Sequence, residues 1–143
     1  MKPLLMGFLG VVVGLMALFA GLIATEAFSA AVHPFPADFQ GSHDEVCAHV
    51  ERYPTWVLGV AAGMWALTAH VAVRLASRLG GLVAGIIVAV LIASLLAFNL
   101  AMLPYPIWFR GLAGTILPLA MFAAVRRRAK RPSPTPGSEP CDN

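Results

Sequence analysis

Residues 55–103 read TWVLGVAAGMWALTAHVAVRLASRLGGLVAGIIVAVLIASLLAFNLAML and contain two apolar runs with basic residues at their junction. The runs cover 55–75 and 82–103, and Arg74 and Arg78 lie where they meet. A helix needs ~20 apolar residues to cross ~30 Å of hydrocarbon, and both runs have that length. The stretch therefore predicts two membrane helices that are joined by a short basic turn.

Two further runs, 4–25 and 106–125, flank this stretch. The chain of 143 residues is 59% hydrophobic and only 12% charged, which is more apolar surface than one soluble core of this size can bury. Backbone groups in lipid must be satisfied within the segment, and the runs lack the polar alternation of barrel strands. The expected fold is an all-α, polytopic membrane domain over residues 1–125, with four transmembrane helices (4–25, 55–75, 82–103 and 106–125) and an outer loop over 26–54.

The first run also resembles a secretory signal peptide, because Lys2 precedes it and small residues follow near Ser29. A signal peptide has an apolar region of ~7–15 residues, however, and this run is longer. A retained helix is the favoured interpretation, and cleavage is the alternative.

The basic residues predict the orientation of the helices. One set of segments contains eight of them, and the other contains only Arg52 and Arg110. Cytoplasmic loops are enriched in Lys and Arg, so both termini are expected on the cytoplasmic side of the membrane. The eight are Lys2, Arg74, Arg78, Arg126, Arg127, Arg128, Lys130 and Arg131.

Residues 126–143 form a basic and then proline-rich tail. The cluster Arg126, Arg127, Arg128, Lys130 and Arg131 abuts a membrane helix, so it is expected to contact anionic lipid headgroups. No aromatic residue is interleaved with it, so nucleic acid is not an expected partner. The prolines that follow predict a disordered cytoplasmic tail.

Pairs of small residues predict close helix packing. Glycines recur at four-residue spacing in three helices, and this spacing lets helix backbones approach within a bundle or across an interface between copies. Packing within the chain is favoured; a homo-oligomer or a protein partner is the alternative. Pro118 is expected to bend the fourth helix. The pairs are Gly10 with Gly14, Gly59 with Gly63, and Gly81 with Gly85.

The connection between the third and fourth helices predicts a tight outer hairpin. A proline disfavours helical geometry in the residue before it, so Pro104 should end the third helix near Leu103. Pro106 fits the first turn of the fourth helix. Tyr105 and Trp108 are expected at the level of the lipid headgroups, where amphipathic aromatic residues are enriched.

This hairpin resembles that of an uncharacterised family of small, four-helix bacterial integral membrane proteins. The likeness rests on Asn99, Leu100, Pro104, Pro106, Trp108 and Phe109, and extends to Glu26, His33, Pro34, Pro36, Trp65 and Ala66. Tyr105 replaces a histidine expected in that family, and His70 replaces a small residue. The resemblance implies a four-span topology and a bacterial origin, and it transfers no catalytic residue.

Ionisable residues in membrane spans are candidates for function. Glu26, Asn99 and Arg110 are all expected near the outer boundary, where Glu26 would pair with Arg110 and Asn99 would support them, unless each reaches water separately. His70 lies four residues before Arg74 near the inner boundary. A neutral His70 that bonds to another helix is the favoured interpretation.

The outer loop contains the residues most suited to metal binding. Ser42 and Glu45 form a capping-box pattern, which predicts a short helix from His43 to Arg52. Zinc and copper prefer such side chains, but the spacing matches no strong ligand signature, so no firm metal site is predicted. Cys47 is expected to be a free thiol or a link between protomers. The weak candidate ligands are His33, His43, Cys47 and Glu51.

No enzyme signature is present in the sequence. There is no phosphate-binding glycine loop, no GxSxG and no HExxH. We therefore expect a non-enzymatic structural or partner-binding membrane protein without a cofactor. The alternative is a small transporter or channel subunit that is metal-linked through the outer loop.

Overall fold

The computed structural model describes residues 2–129, with side chains up to residue 126. The regular secondary structure of this part of the chain is all helical and consists of α1 (Lys2–Val32), α2 (His43–Glu51), α3 (Thr55–Met102) and α4 (Ile107–Ala129). Three helices, α1, α3 and α4, are long and apolar enough to cross a membrane. The expected all-α fold with apolar, membrane-length helices is therefore confirmed. The proline-rich tail lies outside the described residues.

The long helix α3 is interrupted at Gly81, where φ is 92° and ψ is 177°. Only glycine adopts this backbone region without strain. Trp65 and Leu96 pack in one cluster, although a straight helix with a rise of ~1.5 Å per residue would separate them by about 46 Å. Residues 82–102 therefore fold back along residues 55–80. The sequence assigned Gly81 to a packing pair, whereas the structure uses it as the turn.

Helix α1 runs antiparallel to residues 55–80 at very close range. A Cβ atom on Gly10 would meet the backbone of Gly80, and one on Gly14 would lie 2.9 Å from the Cβ atom of Ala76. The predicted packing of the Gly10 pair is thus confirmed. A Cβ atom on Gly59 or Gly63 would meet nothing within 4 Å, so this second pair packs against no described residue.

Helix α4 packs on α3 and runs parallel to residues 55–80. Near its start, the ring of Phe109 lies 5.7 Å from that of Trp65. Further along, the carbonyl oxygen of Ala120 lies 2.9 Å from Nδ1 of His70. From the first contact to the second, the residue numbers increase in both helices, so α4 and residues 55–80 run in the same direction. The four segments α1, 55–80, 82–102 and α4 therefore alternate in direction. Pro118 lies inside α4, which continues through it.

Helix α1 is longer than the sequence predicted. It ends at Val32 rather than at Thr25, so Glu26 lies inside the helix instead of at its end. The residues after Glu26 are mostly alanine and other residues that helices accept, and Pro34 disfavours helical geometry at His33. The apolar run in the sequence ends before the charged Glu26, but the helix continues to Val32, close to Pro34.

The other boundaries lie close to their predictions. Helix α2 begins after Ser42 with both hydrogen bonds of the capping box and ends at Glu51, one residue early. Helix α3 ends at Met102, as the prolines predicted, and α4 begins at Ile107 and extends past residue 125 to Ala129.

Candidate functional site: an aromatic cavity beneath α2

A cavity of about 460 Å³ lies at the end of the bundle opposite Gly81. We call this end the cavity end, and the end around Gly81 the turn end. The walls come from the last turns of α1, from α2, from both ends of α3 and from the connection to α4. The polar side chains that line the cavity include Glu26, Ser29, His49, Tyr53, Asn99 and Tyr105.

Helix α2 covers one side of the cavity and is held there by ring contacts. The ring of His49 stacks on Phe35 at 4.2 Å and on His33 at 4.4 Å, and it meets Tyr53 edge-on at 5.2 Å. The capping box fixes the start of this helix, where the backbone N–H of Ser42 donates to Oε2 of Glu45 at 2.9 Å. That bond is the main reason that the pKa of Glu45 is lowered.

His49 is buried, with 6% of its surface exposed, and it lines the cavity. Burial lowers the pKa of His49, and the neighbouring His33 lowers it further. The imidazole is therefore neutral near pH 7, with a proton on one nitrogen only. Its Nε2 atom is buried and has no hydrogen-bond partner among the described residues. A neutral, unpaired imidazole nitrogen is a ready partner for a polar ligand.

The opposite wall consists of three aromatic rings. The ring of Tyr105 lies 4.7 Å from Phe109 and 6.4 Å from Trp65, which it meets edge-on. Burial raises the pKa of Tyr105 to about 12, and the charge of Glu26 contributes to the rise. The sequence predicted that Tyr105 and Trp108 both lie at the level of the lipid headgroups. The structure separates them, since Tyr105 packs inward and Trp108 is 43% exposed.

The three polar residues expected at the outer boundary are divided by the structure. Glu26 and Asn99 both line the cavity. The buried Oδ1 atom of Asn99 has no hydrogen-bond partner within residues 2–129. Arg110 is exposed and donates from Nη2 to the carbonyl oxygen of Leu103 at 3.1 Å. It therefore satisfies a carbonyl at the end of α3, where the sequence had paired it with Glu26.

The weak metal candidates of the loop do not assemble into one site. Sγ of Cys47 lies 3.5 Å from Nε2 of His43, whereas His33 is stacked against His49. Glu51 is exposed. Over the described part of the chain, no group of three or more His, Cys, Asp or Glu side chains is arranged to hold a metal ion. Cys47 is a free cysteine.

The inner polar residues lie away from the cavity. The predicted bond from His70 to another helix is present, because its Nδ1 atom lies 2.9 Å from the carbonyl oxygen of Ala120. Arg74 is half-buried. Arg126 lies over the ring of Phe122, with its guanidinium carbon 5.2 Å from the ring centroid. The rest of the basic cluster (the side chains of Arg127 and Arg128, and all of Lys130 and Arg131) lies outside the part of the chain that the structure describes.

A second, apolar cleft of about 270 Å³ adjoins the cavity. The two share Leu22, Trp65 and Asn99 as lining residues. The cleft follows α1 and residues 82–102 toward the middle of the bundle. Leu95 and Phe98 line it and are 55% and 65% exposed, so its side opens on the outer surface of the bundle.

Sequence reasoning did not identify His49, Tyr53 and Trp65 as one site. One signal was present, because Val46 and Val50 of α2 and the following Tyr53 form an apolar stripe, which indicates that the segment lies either on the membrane or on the outer end of the bundle. These three residues do line the cavity. The contribution of Trp65 required knowledge of how α3 and α4 pack.

No protein-family model, curated protein or solved structure matches the chain. The functional proposal therefore rests on the geometry of this chain.

Proposed function

We propose that this chain is a non-enzymatic binding protein of a bacterial inner membrane, with four spans and both termini in the cytoplasm. Two features support the topology. The reversal at Gly81 divides α3 into segments 55–80 and 82–102, and each is longer than the ~20 residues that one crossing needs. Lys2, Arg74 and Arg78 then lie toward the turn end, whereas only Arg52 and Arg110 lie toward the cavity end, which agrees with the enrichment of Lys and Arg in cytoplasmic loops.

The observation that carries the binding role is the cavity with its unpaired polar atoms. Buried polar atoms without a partner are rare and costly, at about 1–3 kcal/mol each. Here Nε2 of His49 and Oδ1 of Asn99 belong to side chains that line the same cavity, and both lack a partner among the described residues. A bound molecule that supplies hydrogen bonds would satisfy both atoms once the two side chains rotate toward it.

The interior beyond the cavity favours binding over conduction. Leu18, Ala69 and Ile92 belong to one cluster of buried apolar residues that continues to Ala76 near the turn. Such close packing excludes water. It lies between the cavity and the turn end, which supports a site that opens on one side of the membrane.

The topology can be tested with the two native cysteines, Cys47 and Cys141. Two single-thiol variants, Cys141→Ala and Cys47→Ala, are treated with a membrane-impermeant maleimide in intact spheroplasts and again after permeabilisation. We expect labelling of Cys47 in intact spheroplasts and labelling of Cys141 only after permeabilisation. If α3 crossed the membrane once, both thiols would lie on the same side, and labelling of Cys141 in intact spheroplasts would contradict the proposal.

The binding role can be tested by filling the cavity. Ala61 is buried and lines the cavity, so Ala61→Leu places a larger side chain there. Ala101→Leu adds the same atoms at an exposed site of the same end and is the matched control. Small molecules that co-purify from native membranes are released with organic solvent and quantified by mass spectrometry. We expect one species with the wild type and the control, and at least a severalfold loss with Ala61→Leu. Equal recovery from all three proteins, or no associated molecule, would contradict a binding role.

A further inference from the structure

We propose that the ligand is an amphiphilic alkylammonium: its cationic head binds in the cavity beside Glu26, and its hydrocarbon tail lies in the adjoining apolar cleft. This inference rests on the proposed binding function and names the chemical class of the ligand. Three independent properties of the site lead to it, namely its charge, its aromatic walls and its continuity with the cleft.

The charge of the cavity is negative. Glu26 is the one acidic residue among the described residues that line it, no Lys or Arg is among them, and the imidazole of His49 is neutral. The two tyrosines that face Glu26 remain protonated, because burial raises the pKa of both Tyr53 and Tyr105. A cavity with one carboxylate and no cation attracts a singly charged cation and repels anions.

The walls of the cavity suit the same ligand. Trp65 and Phe109 meet nearly edge-on at 5.7 Å, and Tyr105 packs against both. Aromatic faces attract ammonium groups through their quadrupoles, and groups of such rings recognise ammonium ligands. The unpaired Oδ1 atom of Asn99 accepts hydrogen bonds only, so it favours a head with N–H donors. A primary ammonium therefore fits better than a trimethylated one.

The positions of Asn99 and Trp65 determine where the hydrocarbon tail of the ligand would lie. Both residues line the cavity and the cleft, so a head bound near them has its apolar end at the mouth of the cleft. The cleft walls include Leu18, Leu22 and Leu96, and its open side at Phe98 faces lipid. An alkyl chain can enter from the bilayer through this side while the head remains beside Glu26.

The proposal is tested by calorimetry with the protein in nanodiscs of phosphatidylcholine, with protein-free nanodiscs as the blank. The probe is decylammonium, and decyl sulfate and decanol carry the same chain with an anionic and a neutral head. We expect saturable binding of decylammonium, weaker binding of decyltrimethylammonium, and no saturable binding of decyl sulfate. Equal affinity for decylammonium and decyl sulfate would overturn the proposal.

The contribution of Glu26 is measured with Glu26→Gln, and Glu51→Gln is the matched control because Glu51 is exposed, as Glu26 is, but lies outside the cavity. Loss of one close charge should weaken decylammonium binding by about tenfold or more, whereas the control should change it by less than about twofold. An unchanged affinity in Glu26→Gln would overturn the assignment of the head.

The position of the tail is tested by fluorescence quenching. In a protein with Trp56→Phe and Trp108→Phe, Trp65 is the remaining tryptophan, and 10-bromodecylammonium should quench it saturably. If 10-bromodecylammonium binds but does not quench Trp65, the hydrocarbon tail does not lie in the cleft. If Ala61→Leu loses a native molecule but the wild type does not bind decylammonium, the proposal that the ligand is a cation fails. The proposed binding function would still stand. If Ala61→Leu also had no effect, both proposals would fail.

Discussion

The two ends of the bundle are built from opposite kinds of residue. At the turn end, Gly10, Ala76, Gly80 and Ala84 bring backbones into contact, and a Cβ atom on Gly85 would collide with Ser77. At the cavity end, large rings such as Trp65 line the cavity walls, and space of about 460 Å³ remains. Small residues let helices touch, whereas large rigid rings hold them apart and leave space.

This difference suggests a division of roles. The close backbone contacts at the turn end fix how α1 and the two parts of α3 are arranged. The cavity end has room, unpaired polar atoms and a cover in α2. Substitutions should accordingly be most harmful at the turn end, and those that affect binding should concentrate at the cavity end.

The largest effect is expected from Gly10→Leu. The added side chain would meet the backbone of Gly80 and the carbonyl oxygen of Ala76, and backbone cannot move aside as a flexible side chain can. We expect loss of the monodisperse folded protein in detergent, measured by size-exclusion chromatography. Gly59→Leu is the control, since a Cβ atom there meets nothing within 4 Å. A folded Gly10→Leu protein would show that the close approach is dispensable.

A smaller effect is expected from Phe109→Ala at the cavity end. Phe109 is fully buried against Trp65 and Tyr105, so its removal leaves a void that should cost about 3 kcal/mol of unfolding free energy. Trp108→Ala, at a neighbouring residue that is 43% exposed, should cost less than about 1 kcal/mol. Thermal unfolding of both variants provides the measurement. Equal losses would mean that the rings do not support the cavity.

The stability of the protein is expected to depend on pH through His49, which lies on the helix α2 that covers the cavity. Because burial lowers the pKa of His49 in the folded protein, the unfolded chain binds a proton more readily than the folded one as the pH falls below the ordinary value of 6.5. Stability should thus be full above that pH and decline below it, by less than the cost of Phe109→Ala. The charges of His33 and Arg52 also lower the pKa of His49, whereas its hydrogen bond with the backbone of His33 opposes them. His49→Phe should flatten the profile of melting temperature against pH, and an unchanged slope would exclude His49 as its origin.

The smallest effect is expected from the coupling between Glu26 and Arg110. Arg110 bonds to the carbonyl oxygen of Leu103, and Glu26 lines the cavity, so the two should act independently. Glu26→Gln, Arg110→Gln and the double variant should be additive in unfolding free energy to within about 0.5 kcal/mol. A larger coupling energy would restore the ion pair that the sequence predicted.

The sequence predicted the parts of the fold that depend on local chemistry. Prolines at 104 and 106 placed the end of α3, and the capping box of Ser42 and Glu45 placed the start of α2. The site was harder to predict, because Trp65, Asn99 and Tyr105 are distant in sequence and meet only through helix packing. Glu26 and Asn99 were identified because polar residues are rare in membrane helices. The sequence left open whether Arg110 pairs with Glu26, since its spacing from a boundary does not show which way a flexible side chain turns; in the structure Arg110 bonds to the carbonyl oxygen of Leu103.

The reversal of α3 at Gly81 is tested most directly by measuring the distance between the two parts of this helix. Val60 and Phe98 are exposed sites on residues 55–80 and 82–102, so spin labels at Val60→Cys and Phe98→Cys should not disturb packing. The background is Cys47→Ala with Cys141→Ala, and the measurement is pulsed electron paramagnetic resonance in nanodiscs. Packed helix axes lie ~8–10 Å apart, so reversal at Gly81 predicts a main distance below about 25 Å. A main distance near ~57 Å, as in a straight helix, would contradict the reversal and the cavity that depends on it.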